Sequence, residues 1–440
     1  LTQKGHTFAS ETDTEIVAHL FSENYESGMN FEQAVRNALQ RVRGSYAIVA
    51  ICADHPNEII AARQQSPLLL AVGDGEMFAA SDIAAVLAYS RNFIFLEDAD
   101  IAHITSTEVK ISDLQGNPCQ RPVKTIEWDI AAAEKQGYPH YMLKEIYEQP
   151  EAIQQTISQA LNGNQLRDDF LKNADADFAQ IQNVQIIACG TSYHAGMIAK
   201  YWFEQLINLP CQVEIASEFR YRTPVIVNNT LYVCISQSGE TADTLAALRD
   251  TQKRALTKQI NIATLTICNV ATSSMVRETN HSLLTLAGPE IGVASTKAFT
   301  TQLAALMLVV LKIGQVKQTI SETKISEIIA DLWHLPKVML DTMQKDKEIL
   351  RLSELFVEKN HCLFLGRGTE FPIALEGALK LKEISYIHAV GYAAGELKHG
   401  PLALVDNDMP VVILAPKDDM LDKLKSNMEE VQARGGELFV

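Results

Sequence analysis

Val184-Gln185-Ile186-Ile187-Ala188-Cys189-Gly190-Thr191-Ser192 carries the first decision about the fold: a buried strand runs into a small, polar turn, and a helix starts from that turn. Apolar strand-like runs follow at 211–216, 230–236, 261–268 and 281–286, with helical patterns between several of them and a long one at 295–311. Strands alternating with helices predict a parallel sheet covered on both faces. After a helical stretch at 320–358 the pattern restarts: Cys362-Leu363-Phe364-Leu365 leads into Gly366-Arg367-Gly368-Thr369 and a helix from Phe371, then a strand at 410–415 and a helix at 419–434. Gly190 lies 46 residues before Ser236, and Gly368 lies 47 before Ala415. That offset suggests two related α/β units, the second incomplete, although residue identity between them is poor.

Upstream the rhythm is different. Two helical patterns come first, one after Ser10-Glu11-Thr12-Asp13 and one over Phe31-Glu32-Gln33-Ala34-Val35-Arg36-Asn37-Ala38-Leu39. Strand-like runs at 45–52, 58–63, 67–72 and 77–80 are separated by turns such as Asp54-His55-Pro56-Asn57 and Gly73-Asp74-Gly75. Connections this short exclude helical crossovers, so α+β with antiparallel pairing is expected. The organisation read from the sequence is therefore an α+β domain at 1–129, a polar, helix-leaning linker at 130–174, an α/β domain at 175–318 and a second at 319–440. Both ends read as cut: the first residue is Leu, and Glu437-Leu438-Phe439-Val440 reads as a strand without a successor.

Composition narrows the class. The chain has 440 residues, 47% apolar and 21% charged, with a net charge of −16. That is globular composition, and without a basic run it argues against a nucleic-acid partner. The longest fully apolar run, 303–311, is too short to span a bilayer and reads as a buried helix, so no membrane association is expected. Seven scattered cysteines without a Cys-x-x-Cys pair argue against a disulfide framework or a metal site and fit a reducing cytoplasm.

Four stretches carry candidate chemistry. Ser236-Gln237-Ser238-Gly239-Glu240-Thr241 is a strand-to-helix turn, where free N–H groups and the helix dipole attract a phosphate and three hydroxyls add donors. Ordinary helix N-caps would use the same residue types. Cys189-Gly190-Thr191-Ser192 repeats the arrangement after another strand, and Cys189 reads as a small buried residue rather than a nucleophile. Glu376, Lys380 and Glu383 stand at i, i+4 and i+7 on one helix face. They read either as an exposed ion-pair ladder or, because Leu375, Leu379 and Ile384 flank them, as a part-buried proton shuttle. His399, in Gly395-Glu396-Leu397-Lys398-His399-Gly400-Pro401, reads as an acid/base candidate or a plain surface-loop histidine. Gly292-Val293-Ala294-Ser295-Thr296-Lys297 reads as one more helix cap.

Together these blocks resemble the glutamine–fructose-6-phosphate aminotransferase (isomerizing) family. The resemblance runs through Ser10-Glu11-Thr12-Asp13-Thr14-Glu15, Tyr141-Met142-Leu143-Lys144-Glu145-Ile146-Tyr147-Glu148-Gln149-Pro150, Glu218-Phe219-Arg220-Tyr221-Arg222 and the stretches 236–241, 293–300 and 375–401. It implies a partial N-terminal-nucleophile glutaminase domain, an αββα sandwich, at 1–129, followed by two α/β sugar-isomerase (SIS) domains with parallel sheets. The implied activity moves glutamine-derived ammonia through an internal channel to fructose 6-phosphate and isomerises the product to glucosamine 6-phosphate, the first step towards UDP-N-acetylglucosamine. It needs no metal and no cofactor, and the implied assembly is a homodimer. The resemblance places the sugar phosphate on Ser236, Gln237, Ser238 and Thr241, the sugar beside Thr191 and Ser192, and Val293 and Ser295 on the same pocket. It makes Glu383 the base, with Glu376 and Lys380 in support, His399 assisting ring opening across a subunit interface, and Asp13 binding the amino group of glutamine. The family's nucleophilic cysteine and its Schiff-base lysine have no counterpart in these 440 residues, so a chain so bounded is expected not to complete the reaction. Three other readings, a sugar-phosphate isomerase without amide transfer, a SIS-type sensor and a phosphoribosyl-type amidotransferase, are disfavoured by the 1–129 segment, by the absence of a basic helix-turn-helix and by the lack of an acidic pyrophosphate-binding strand end.

Overall fold

A computed structural model describes residues 1–83, 85–126 and 135–440, so the boundary expected at 129/130 lies outside the described residues. The chain divides into two compact units, Leu1–Glu134 and Lys135–Val440.

The first unit opens with α1 (Thr14–Glu26) and α2 (Phe31–Leu39). Asn30 caps α2 by accepting the Gln33 N–H at 2.9 Å. At α1, the Ser10 hydroxyl and the backbone N–H groups of Ala9 and Ser10 hold the Glu15 carboxyl down at about 2. Eight strands follow: β1 (Tyr46–Cys52), β2 (His55–Gln64), β3 (Leu69–Val72), β4 (Met77–Ala80), β5 (Asn92–Phe95), β6 (Ile101–Ile104), β7 (Val109–Ser112) and β8 (Val123–Thr125). They form two antiparallel sheets, β1-β2-β6-β7 and β4-β3-β5-β8. Residue alternation in β2 sets the layers. Ile60 and Ala62 face α1 and α2 through Val17, Phe31, Val35 and Leu39, while Ala61 turns the other way to meet Leu70, Ile94 and Leu96 of the second sheet. The described residues thus stack as helix, sheet, sheet. The strand-like runs in the sequence account for β1–β4; β5–β8 are additional.

The second unit begins with α3 (Tyr141–Ser158), a short hairpin of β9 (Leu161–Asn162) and β10 (Gln165–Leu166), and α4 (Asp175–Gln180). Then come β11 (Asn183–Ala188), α5 (Gly190–Ile207), β12 (Cys211–Ile215), α6 (Ala216–Phe219), β13 (Thr230–Ile235), α7 (Ala242–Lys258), β14 (Ile262–Cys268), α8 (Ser274–Glu278), β15 (His281–Leu284) and α9 (Lys297–Lys317). The sheet is parallel throughout, in the order β12-β11-β13-β14-β15. Helices α3, α5 and α9 share one core on one face, whereas Phe219, Ala247 and Ala255 from α6 and α7 pack on the other. Among the described residues α9 is the one helix long and apolar enough to cross a membrane. Here Leu306, Val309, Val310 and Ile313 make it the central helix of this core.

Helices α10 (Glu322–Met343) and α11 (Asp346–Ser353) lead to β16 (His361–Gly366), α12 (Glu370–Ser385), β17 (His388–Ala393), β18 (Pro410–Ile413), α13 (Leu421–Ala433) and β19 (Glu437–Phe439). The second parallel sheet has the order β17-β16-β18-β19, which repeats the first four positions of the first sheet. β17 went unread in the sequence, because Val390-Gly391-Tyr392-Ala393 lacks a run of large apolar residues.

One expectation is corrected. The 130–174 segment was read as a linker from its polarity, yet α3 puts Ile153 and Ile157 into the core of the first parallel sheet, joined by Phe170 and Ala174. The polar residues of α3 mask a narrow apolar stripe that packs on α9 and α10. Ile157→Ala is expected to destabilise the fold by about 2–4 kcal/mol in urea unfolding. A loss below about 1 kcal/mol would return the segment to linker status.

Candidate functional site

In the first parallel sheet β11 and β13 are neighbours, but their following helices leave in opposite directions, α5 towards β12 and α7 towards β14. Such a switch point opens a crevice beyond the carboxyl ends of the two strands, where open α/β sheets bind ligands. Both hydroxyl-rich turns fall there. Gly239, at φ +67°, sits where a Cβ would collide with Ser273, so the turn can be this tight only with glycine. Ser236 is buried; its Oγ accepts the Gly239 N–H at 3.0 Å and lies 2.9 Å from Thr241 Oγ1. Ser238 Oγ accepts the Glu240 N–H at 3.2 Å. Among the described residues neither N-cap, Cys189 of α5 nor Thr241 of α7, makes a side-chain capping hydrogen bond, so first-turn N–H groups are open at the crevice. Thr191 and Ser192 open α5, and Thr244 Oγ1 lies 4.0 Å from Cys189 Sγ. Burial pushes the Cys189 thiol up, which suits a packed thiol rather than a nucleophile.

The second α/β unit contributes α12. Glu376 is almost fully buried, and both its oxygens are engaged. Thr191 Oγ1 donates to Oε1 at 2.9 Å, and His194 Nδ1 lies 2.7 Å from Oε2. Lys380 Nζ is 3.4 Å from Glu376 Oε1, 3.3 Å from Thr191 Oγ1 and 2.8 Å from Glu383 Oε2. The i, i+4, i+7 stripe is therefore a connected chain of charges rooted on α5 of the other α/β unit. Side-chain exposure rises outward along it, from 7% at Glu376 through 18% at Lys380 to 33% at Glu383. Glu383 thus keeps access to a small molecule.

A third element is the loop after β15. Glu145 on α3 accepts the Ile291 N–H at 2.6 Å and the Gly292 N–H at 3.0 Å, and a Cβ on Gly292 would strike the Glu145 carboxylate. Burial pushes the Glu145 carboxyl up. Glu148 bridges two buried lysines, Lys144 at 3.1 Å and Lys297 at 2.7 Å. Glu290 accepts from Ser295 Oγ at 3.0 Å and from the Thr296 and Ala298 N–H groups, taking the capping role that Thr296 leaves open. Ser295 is thereby fixed. Val293, in the same loop, is 96% exposed.

His399 is exposed at the end of a 3-10 helix, Ala394–His399, and no hydrogen bond or ion pair joins it to the Glu376 group among the described residues. Asp13 is the exposed N-cap residue of α1. The sequence reading missed His194 and Glu145. His194 stands three residues after Thr191 on the same helix, a spacing that held the clue. Glu145 looked like one more charge on a polar helix.

Comparison with known proteins follows the same architecture. The glutamine amidotransferase domain family matches residues 1–88, and the SIS domain family matches 177–312 and 355–440. A glutamine amidotransferase domain joined to SIS domains is the class of protein that results. The C-terminal domain of glucosamine-fructose-6-phosphate aminotransferase from Francisella tularensis is similar, with 52% identity and a TM-score of 0.66 over 69% of this chain and 84% of that one. Glucosamine-6-phosphate deaminase from Thermotoga maritima, 23% identical with a TM-score of 0.53 over 68% and 84%, shares the fold. Glutamine–fructose-6-phosphate aminotransferase (isomerizing) from Acinetobacter baylyi is 72% identical over 99% of this chain and 71% of its own length, and that of Escherichia coli is 50% identical over 100% and 71%. The chain belongs to the glutamine–fructose-6-phosphate aminotransferase (isomerizing) family.

The raised carboxyl of Glu145 gives a pH test with a defined sign. A folded-state pKa above the unfolded one means that ionisation opposes folding, so its stabilising contribution fades as pH rises through the folded value. The melting temperature of the wild type relative to Glu145→Gln should therefore fall as pH rises above the ordinary glutamate range, about 4. A gap independent of pH would contradict the placement.

Proposed function

We propose that the protein hydrolyses glutamine to glutamate and ammonia and uses the ammonia to convert fructose 6-phosphate into glucosamine 6-phosphate. The observation that carries this reading is the Thr191–Glu376–Lys380–Glu383 chain of contacts, which brings a carboxylate on a rigid helix to the hydroxyl-rich crevice of a chain that also matches a glutamine amidotransferase domain. The phosphate sits on the 236–241 turn, held by the first-turn N–H groups of α7 and by Ser236, Gln237, Ser238 and Thr241. Thr191 and Ser192 orient the sugar, and Ser295 lies on the same edge, with Val293 free to reach a ligand or a neighbouring subunit. Nitrogen replaces oxygen at carbon 2 with loss of water, and Glu383 takes the proton from carbon 1 and returns it to carbon 2. Lys380 fixes the Glu383 carboxylate, and Glu376 fixes Lys380. Asp13, exposed at the start of α1, binds the amino group of glutamine.

The protein works as a homodimer in the cytoplasm. His399, exposed and unattached to the site of its own chain, assists ring opening in the partner's site. All seven cysteines are free, which suits a reducing compartment.

In the full-length protein, Glu383→Gln should keep sugar-phosphate binding but lower exchange of the carbon-1 proton with solvent by about 10²–10⁴-fold. Near wild-type exchange would remove Glu383 from the base role. Calorimetry should show Ser238→Ala and Thr241→Ala each weakening fructose 6-phosphate binding by roughly tenfold, as loss of a hydrogen bond to a charged group predicts. Unchanged affinity in both would move the phosphate elsewhere.

A further inference from the structure

We propose that His194 is a positioning residue of the isomerisation site, acting through Glu376 on Lys380 and the base Glu383. His194 holds this role only if the isomerisation proposed above takes place at Glu383.

The geometry is a two-point clamp. The first turns of α5 present two donors three residues apart, on one helix face, to the two oxygens of a single carboxylate on α12. Thr191 Oγ1 donates to Oε1 at 2.9 Å and His194 Nδ1 meets Oε2 at 2.7 Å. A carboxylate is an acceptor only, so the His194 ring donates through Nδ1–H. With one donor, the Glu376 carboxylate could swing about its terminal bond; with two, its plane is fixed. That plane sets where Oε1 meets Lys380 Nζ, 3.4 Å away, and Lys380 in turn holds Glu383 Oε2 at 2.8 Å. Glu376 is 7% exposed and His194 13%, so water is poorly placed to replace a lost donor. Without His194, Oε2 becomes a buried acceptor with no partner, and the carboxylate regains one only by rotating away from Lys380. The effect reaches the base through the orientation of two side chains and touches no part of the phosphate turn.

The test is steady-state kinetics of glucosamine 6-phosphate formation by the full-length protein. His194→Ala should lower kcat by about tenfold or more while KM for fructose 6-phosphate changes by less than about threefold, because a transition-state alignment is lost and substrate binding is not. His194→Asn places an Nδ2–H at the same remove from Cγ and should recover kcat to within about threefold of wild type. In a Glu376→Gln background His194→Ala should cause little further loss, since both act along one path. Wild-type kcat in His194→Ala, an Asn variant as impaired as the Ala variant, or losses that multiply in the double variant would each overturn the proposal. A wild-type protein that turns over no fructose 6-phosphate would instead overturn the function on which the role of His194 rests.

Discussion

The second unit of this protein is organised around one buried carboxylate. Glu376 is enclosed, and an ion in that position is tolerated only when donors surround it. Those donors come from two different α/β folds: Lys380 from its own helix, Thr191 and His194 from α5 of the other. Satisfying Glu376 therefore fixes how α5 and α12 lie against each other. It also carries a charged chain from the protein interior to the mouth of the crevice between β11 and β13. The same arrangement that makes burial tolerable builds the proposed site.

The 288–296 loop is held by the same logic with different residues. A loop after the last strand of a sheet has backbone N–H groups to satisfy, and here carboxylates do it from a distance in sequence. Glu145 reaches Ile291 and Gly292 from α3, and Glu290 closes the start of α9. Glu148 pairs with both Lys144 and Lys297 close by. A segment that reads as a polar connection thus holds this loop in place.

Much of this was legible in the sequence, and the failures have a common cause. The runs Val184-Gln185-Ile186-Ile187-Ala188 and Cys362-Leu363-Phe364-Leu365 announce parallel strands because burial on both faces demands unbroken apolar character. The helical pattern over Phe31–Leu39 coincides with α2, which Asn30 caps. The 236–241 turn and the Glu376–Lys380–Glu383 stripe were visible because each is local, within six or eight residues. His194 and Glu145 were missed because their partners lie 182 and 146 residues away, although the spacing of His194 from Thr191 held a clue. The three-residue β8 escaped because its neighbours in the sheet make it a strand, and β17 because it lacks a run of large apolar residues.

Helix α9 follows all five strands of the first sheet in the chain, yet it lies against both α3 and α5 and supplies the middle of their common core. The order of synthesis thereby acquires a deadline. By the time Leu284 has left the ribosome, every strand of the sheet is available, but one of its faces has no central helix. The missing piece arrives as 21 consecutive residues that are themselves among the most apolar in the chain. Until Lys317 emerges, nascent protein and nascent helix each display a greasy surface that only the other can cover, so this is the interval in which a chaperone would have the most to protect.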